Sequence, residues 1–222
     1  MPSTITALRQ HRSNRQRVEV YLDGQRAFTL TLVEAARLRR GQSLRDEEIA
    51  ALRARDAQER AHEDALRYLS YRARSAAEIE RYLAGRRFPP EVVEAELQRL
   101  RESGLVDDAA FARAWVEERE QFRPRSPRAL RQELRQKGLD EETISQAIAG
   151  IDPEASAYEA ARARAARLSG LDYRQFRHRL GAFLARRGFD YEVIRTVVDR
   201  LWREEHGASP PQEDEPNEPM SF

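Results

Sequence analysis

Six apolar positions recur three times along this chain, first 51 residues on and then 50. The columns are Ile79/Leu130/Leu180, Leu83/Leu134/Leu184, Phe88/Leu139/Phe189, Val93/Ile144/Ile194, Leu97/Ile148/Val198 and Leu100/Ile151/Leu201. No column needs a gap, although a loop falls between the second and the fourth. Amphipathic helices slide into register by chance, but a shared loop length with an apolar residue at one point of each loop is harder to reach that way. The chain therefore reads as three copies of one helical unit, with a period like those of helical repeat proteins. Such units stack on their neighbours into an elongated body with a long binding surface. The expected fold is mainly α, three tandem three-helix repeats preceded by an N-terminal β-hairpin and helices.

Each repeat carries its own start and stop signals. In the first, helix A covers about 61–72 with Ala65, Leu66, Tyr68 and Leu69; Ser75 and Glu78 form a capping box for helix B, and Pro89-Pro90-Glu91 opens helix C. In the second, Asp107 or Asp108 caps helix A, Ser126-Pro127 starts helix B and Asp140 caps helix C. In the third, Asp152-Pro153, Asp172 and Asp190 do the same. Gly138 and Gly188 fit left-handed helix ends. The first repeat has Arg87 at that point, so its helix B either ends early at Gly85 or carries backbone strain.

The N-terminal fifth differs. Val18, Val20 and Leu22 alternate with polar neighbours, Asp23-Gly24 follows, and Phe28 and Leu30 resume the alternation, which predicts a hairpin. A helix is expected over about 31–39, stopping at Gly41, and Ser43 with Asp46 reads as the N-cap of a long helix from about 44. The charged stretch 53–64 reads as a solvated connecting rod. The expected division is a hairpin plus helical extension (1–60), three repeats (61–106, 107–151, 152–206) and a disordered tail (207–222) rich in proline and acid.

The net charge of +1 conceals an uneven distribution. Of 39 basic residues only Lys137 is lysine, which a GC-rich genome explains in part. Arginine's planar fork also pairs with phosphates and carboxylates. Arg119, Arg123, Arg125, Arg128, Arg131, Arg135 and Lys137 cluster across the A–B junction and helix B of the second repeat, opposed by Glu120 and Glu133. Arg128, Arg131 and Arg135 fall on one helix face beside buried Leu130 and Leu134, and Arg174 and Arg177 stand in the same relation to Leu180 and Leu184. Residues 160–189 hold eight arginines against Asp172 alone. Repulsion within such runs argues for a polyanion or an acidic protein as partner. Tyr68, Tyr71, Phe111 and Trp115 could stack on bases, but at helical spacing they read first as core.

Catalytic signals are missing. The sequence has no cysteine, hence no disulfide, thiolate metal site or cysteine nucleophile. His11, His62, His178 and His206 lie far apart, and no Gly-rich phosphate loop, nucleophile elbow or H-E-x-x-H pattern is present. The carboxylates read as polar helix faces and caps. A non-enzyme with no cofactor is expected. Without a membrane-length apolar run or a signal-type N-terminus, the expected location is the cytoplasm.

From Tyr68-Leu69-Ser70-Tyr71-Arg72-Ala73-Arg74-Ser75, with Glu78, Ile79 and Leu83 following, the chain resembles the RecX family, bacterial regulators of the RecA recombinase. The likeness continues through Gly104-Leu105-Val106-Asp107-Asp108, Phe111-Ala112, Trp115-Val116, Leu130, Glu133-Leu134, Lys137-Gly138-Leu139 and Arg187-Gly188-Phe189, over about 61–203. Arg87 stands where that family usually has glycine, and Ser126-Pro127 replaces a Gly-Pro-like turn. The resemblance implies a curved solenoid lying in the groove of a RecA–DNA filament and inhibiting ATP hydrolysis and strand exchange, by limiting filament growth or promoting disassembly. The implied partners are the RecA filament and DNA, the latter bound more weakly alone, with the chain a monomer. The residues expected to meet filament protein or DNA are Arg72, Arg74, Arg128, Arg131, Arg135, Lys137, Arg174, Arg177, Arg186 and Arg187. The competing readings are a direct DNA-binding protein of tandem helical units and a structural scaffold repeat. The acidic tail is expected to compete weakly for the same arginines.

Overall fold

The structure, a computed structural model, describes residues 2–207. Its contacts divide the chain into two compact units, with the boundary in the sequence between Val106 and Asp107. The acidic tail, past Gly207, lies outside the described residues.

The first unit opens with a four-stranded antiparallel sheet in the order β3-β2-β1-β4, made of β1 (Ser3–Gln10), β2 (Arg17–Leu22), β3 (Gln25–Thr31) and β4 (Ser43–Leu44). The expected hairpin is β2–β3. Asp23 and Gly24 make its turn at φ 48° and 85°, the positive angles a two-residue connection demands. The sheet goes beyond a hairpin because β1 pairs along β2, a strand the sequence reading left out. Val18, Val20 and Leu22 point with Ile5 and Leu30 into a core closed by Ala35, Leu44, Ile49 and Leu52.

Two helical expectations fail here. The helix expected over 31–39 is a single turn, α1 (Leu32–Ala35), capped by Thr31. Arg37 and Leu38 then bond three residues back instead of four, and the Gly41 amide reaches the Ile5 carbonyl, so the segment is spent on returning to the sheet. Ser43 does not cap α2 (Asp46–Leu69). It pairs with Thr4 in β4, and the helix starts two residues later, with Arg45 at the cap donating its backbone N–H to the Glu48 carboxylate at 2.8 Å.

The charged stretch 53–64 is solvated on one side only. It lies within α2, where Asp56 pairs with Arg17 of β2 and both are buried, and where the Arg53 guanidinium lies over Phe28. The sheet packs against the helix on the Asp56 side, while Arg53, Arg55, Arg60 and Glu63 stay exposed. Glu96 is likewise buried, its carboxylate 2.8 Å from His62 Nδ1, so the acids do not all sit on solvated faces. Helix α2 continues without a break into the first three-helix unit, joined by α3 (Ala76–Gly85) and α4 (Pro90–Glu102).

The second unit contains α5 (Asp108–Phe122), α6 (Pro127–Gln136) and α7 (Glu141–Ile148), then α8 (Pro153–Ala165), α9 (Tyr173–Ala185) and α10 (Tyr191–His206). The repeat columns are interior in every copy: Ile79, Leu130, Leu180, Leu83, Leu134 and Leu184 are fully buried, and Phe88 and Ile151 alone are half-buried. Caps fall as their chemistry dictates. Ser75, Asp107, Ser126, Asp140, Asp152 and Asp172 each accept a backbone N–H of the first turn. Asp190 stands at the cap of α10 but makes no such bond.

The three B-helices end alike. Phe88 N donates to Leu83 O, Leu139 N to Leu134 O and Phe189 N to Leu184 O, the bond that closes a left-handed helix end. Gly138 and Gly188 have φ of 84° and 87°; Arg87 takes the same conformation at 64°. Helix α3 ends at Gly85, level with the end of α6 at Gln136 and so not early, and the strain falls on Arg87; of the two expected alternatives the second holds.

Candidate functional site

The site is built by two helix ends of the second unit. Pro124 has no N–H and biases the residue before it away from helix, so α5 stops and Arg123 takes an extended φ of −150°. Arg123, Pro124 and Arg125 then form an elbow that Ser126-Pro127 turns into α6. Sixty-odd residues on, α9 ends at Ala185 and Arg186, Arg187 and Gly188 reverse the chain into α10. The two loops lock together: Ser126 N donates to Arg187 O at 3.1 Å, and the Arg187 guanidinium donates to Pro124 O at 2.8 Å. Only glycine fits at 188, because a Cβ there would stand 2.7 Å from Ser126 Oγ and 2.9 Å from Ala129 Cβ.

This joint places Arg123, Arg125, Arg186 and Arg187 around an open cleft of about 270 Å³ floored by Phe183. Arg125 Nε meets Glu133 at 3.0 Å, but that carboxylate also accepts from Arg119 Nε at 3.0 Å and Trp115 Nε1 at 2.8 Å. Its neutralising charge is therefore shared. Arg123 and Arg186 have no carboxylate partner among the described residues. Arg187 lies over Phe183, 4.6 Å from the ring centre. Burial first, then Arg125 and Arg123, lower its pKa from the ordinary arginine value. It stays cationic near neutrality because that value starts so high, so the cleft holds like charges together at a cost that a bound anion would offset.

The structure distributes the expected contact residues unevenly. Arg186 and Arg187 fall in the cleft. Arg128 is exposed with a distant neighbour, Asp190 at 3.9 Å. Arg131 and Arg135 both turn to Glu141, an acid the sequence reading did not set against them. The Lys137 ammonium lies 4.9 Å from the Trp115 ring, and Arg177 donates to the Tyr191 hydroxyl at 3.2 Å. Arg174 is exposed on α9. In the first unit Arg72 forks onto Glu78 at 2.8 and 3.2 Å, and Arg74 covers Tyr68 at 4.0 Å. Those two brace the start of α3.

Of the aromatics read as core, Phe111 is buried and Trp115 and Tyr68 are half-buried in stacks, but Tyr71 is 79% exposed. Arg123 and Arg125 belonged to the basic run but were not singled out as contacts. Their Arg-Pro-Arg-Ser-Pro setting signals a helix break, which is the sequence signal that sets them apart from the helix-face arginines. Among the described residues no three His, Asp or Glu side chains are gathered to hold a metal ion, and no helix is long and apolar enough to cross a membrane.

Comparison with known proteins completes the picture. Three family models match in order: "RecX, first three-helix domain" over 61–100, "RecX, second three-helix domain" over 107–148 and "RecX, third three-helix domain" over 152–198. The regulatory protein RecX of Thermobifida fusca is 40% identical over 147 residues, covering 63% of this chain and 80% of its own length. That of Bacillus subtilis is 29% identical over 202 residues, 89% of this chain and 76% of the relative. A crystal structure of regulatory protein RecX, 31% identical, superimposes with a TM-score of 0.65 over 89% of this chain and 99% of that one.

Proposed function

The chain belongs to the RecX family, and we propose that it regulates the RecA recombinase by lying in the groove of the RecA–DNA filament. The sign is inhibitory: bound there, the chain slows ATP hydrolysis and strand exchange by limiting filament growth or promoting disassembly. The observation that carries this is the ordered match of all three helical units, to a family whose members are named regulatory proteins. The helix-B arginines and the cleft cations support it, since several weak charged contacts on linked repeats give avidity without a deep pocket. The action is non-enzymatic, needs no cofactor, and takes place in the cytoplasm with the chain as a monomer. The five expected domains then divide the labour, with 61–106, 107–151 and 152–206 making the contacts and 1–60 extending them.

A second reading, a direct nucleic-acid binder, is favoured by the two cleft arginines that have no carboxylate partner among the described residues. Single-stranded-DNA-dependent ATP hydrolysis by the host's RecA separates the two. Turnover falls when the chain is added far below one copy per recombinase if it acts on filaments. A fall only at coating amounts of protein, or none, rejects the regulator.

A further inference from the structure

We propose that the cleft between the α5–α6 and α9–α10 loops is a phosphate-binding site that takes the backbone of a single nucleic-acid strand. The proposal deepens the reading above, on which it rests only for where that strand is met.

Charge and valence select the ligand. A carboxylate offers about four lone-pair sites, and within this protein two guanidinium groups and an indole already take up most of those on Glu133. Arg123, Arg125, Arg186 and Arg187 together present far more donors than an acidic side chain can accept. A phosphodiester and its neighbour along a strand can take them all, because arginine forks bind phosphate oxygens in pairs. Fixing them on two loops joined by a backbone hydrogen bond leaves little to order on binding. The cleft is recessed and its floor is an aromatic ring crossed by Arg164 at 5.0 Å and Arg187 at 4.6 Å. A flexible single strand can bend a phosphate into such a recess, whereas the stiff duplex presents its backbone on a convex cylinder.

The test is fluorescence anisotropy with a labelled oligothymidylate of about 15 nucleotides, using the full chain and the variant Arg123→Ala/Arg186→Ala. Both side chains are exposed, so folding is kept, as circular dichroism and the unfolding midpoint would verify. The charge-matched control is Arg113→Ala/Arg203→Ala, exposed on α5 and α10 away from the cleft. The cleft variant is expected to bind about tenfold more weakly at low salt, with a slope of log K against log salt shallower by about 1.4, since each phosphate neutralised on a single strand counts for about 0.7. The control keeps the wild-type slope to within half of that change. Equal losses in both variants, or none in the cleft variant, overturn the proposal. A duplex of the same length that binds as tightly, with the same loss, overturns the single-strand assignment. If strand binding is unchanged but inhibition of RecA is lost, the cleft meets protein and the proposal also fails. Strand binding that depends on the cleft, with no effect on RecA at any ratio, supports the site and rejects the regulator.

Discussion

Arg87 does with an arginine what Gly138 and Gly188 do with no side chain at all. Its φ of 64° lies in the left-handed region, where a Cβ crowds the following carbonyl by about 1–2 kcal/mol. Glycine there costs about 0.5–1 kcal/mol more entropy on folding. The balance favours glycine, and Arg87→Gly is expected to stabilise the first unit by about 0.5–1 kcal/mol, read as a raised urea midpoint at constant slope. Gly188→Ala runs the other way. It adds left-handed strain and a Cβ 2.7 Å from Ser126 Oγ and 2.9 Å from Ala129 Cβ, at the start of α6. The combined loss is on the order of 3 kcal/mol. Gly104→Ala, equally left-handed but in open space, isolates the strain at about 1 kcal/mol. If both alanines cost the same, the loops are not in contact in solution.

At the scale of elements, what the sequence disclosed depended on how local its cause was. Caps, proline starts and left-handed ends were legible because each is settled within four or five residues. Ser43 misled because its partner, Thr4, is distant in sequence and won it for a strand. β1 was hidden because only Ile5 of its residues is buried, with Leu8 packing at the core's edge. The cleft was invisible for the same reason, its halves being 63 residues apart at Arg187 and Pro124. Glu141 shows what pairing does to a helix face. The hydrogen bond from Arg135, ahead of the opposing effect of burial, lowers its pKa below the ordinary glutamate value. The pair therefore adds stability above the unfolded pKa of about 4.3, lost as pH falls through the lower folded value. At pH 5–8 it stays intact and holds Arg131 and Arg135. Glu141→Gln should release both, and tighten oligonucleotide binding several-fold at low salt; unchanged affinity would remove those two arginines from the contact surface.

Across the whole molecule, apolar burial is divided among small cores, one under the sheet and one in each three-helix unit. No single interior carries the fold, as befits repeats that each bury only a few side chains. Leu134 is fully buried in the second repeat, and Leu134→Ala is expected to cost about 2–5 kcal/mol. Hydrogen exchange should rise first and most in α5, α6 and α7. A uniform rise along residues 2–207 would instead mean one cooperative block.

The joint between Ser126 and Gly188 has a historical consequence. Side chains that merely touch can drift one at a time, but here a single missing Cβ makes room for the hydroxyl that caps α6 and a methyl in its first turn. Positions 126, 129 and 188 should therefore be inherited as a set: wherever a descendant of this chain replaces the glycine, the serine and the alanine will have changed with it.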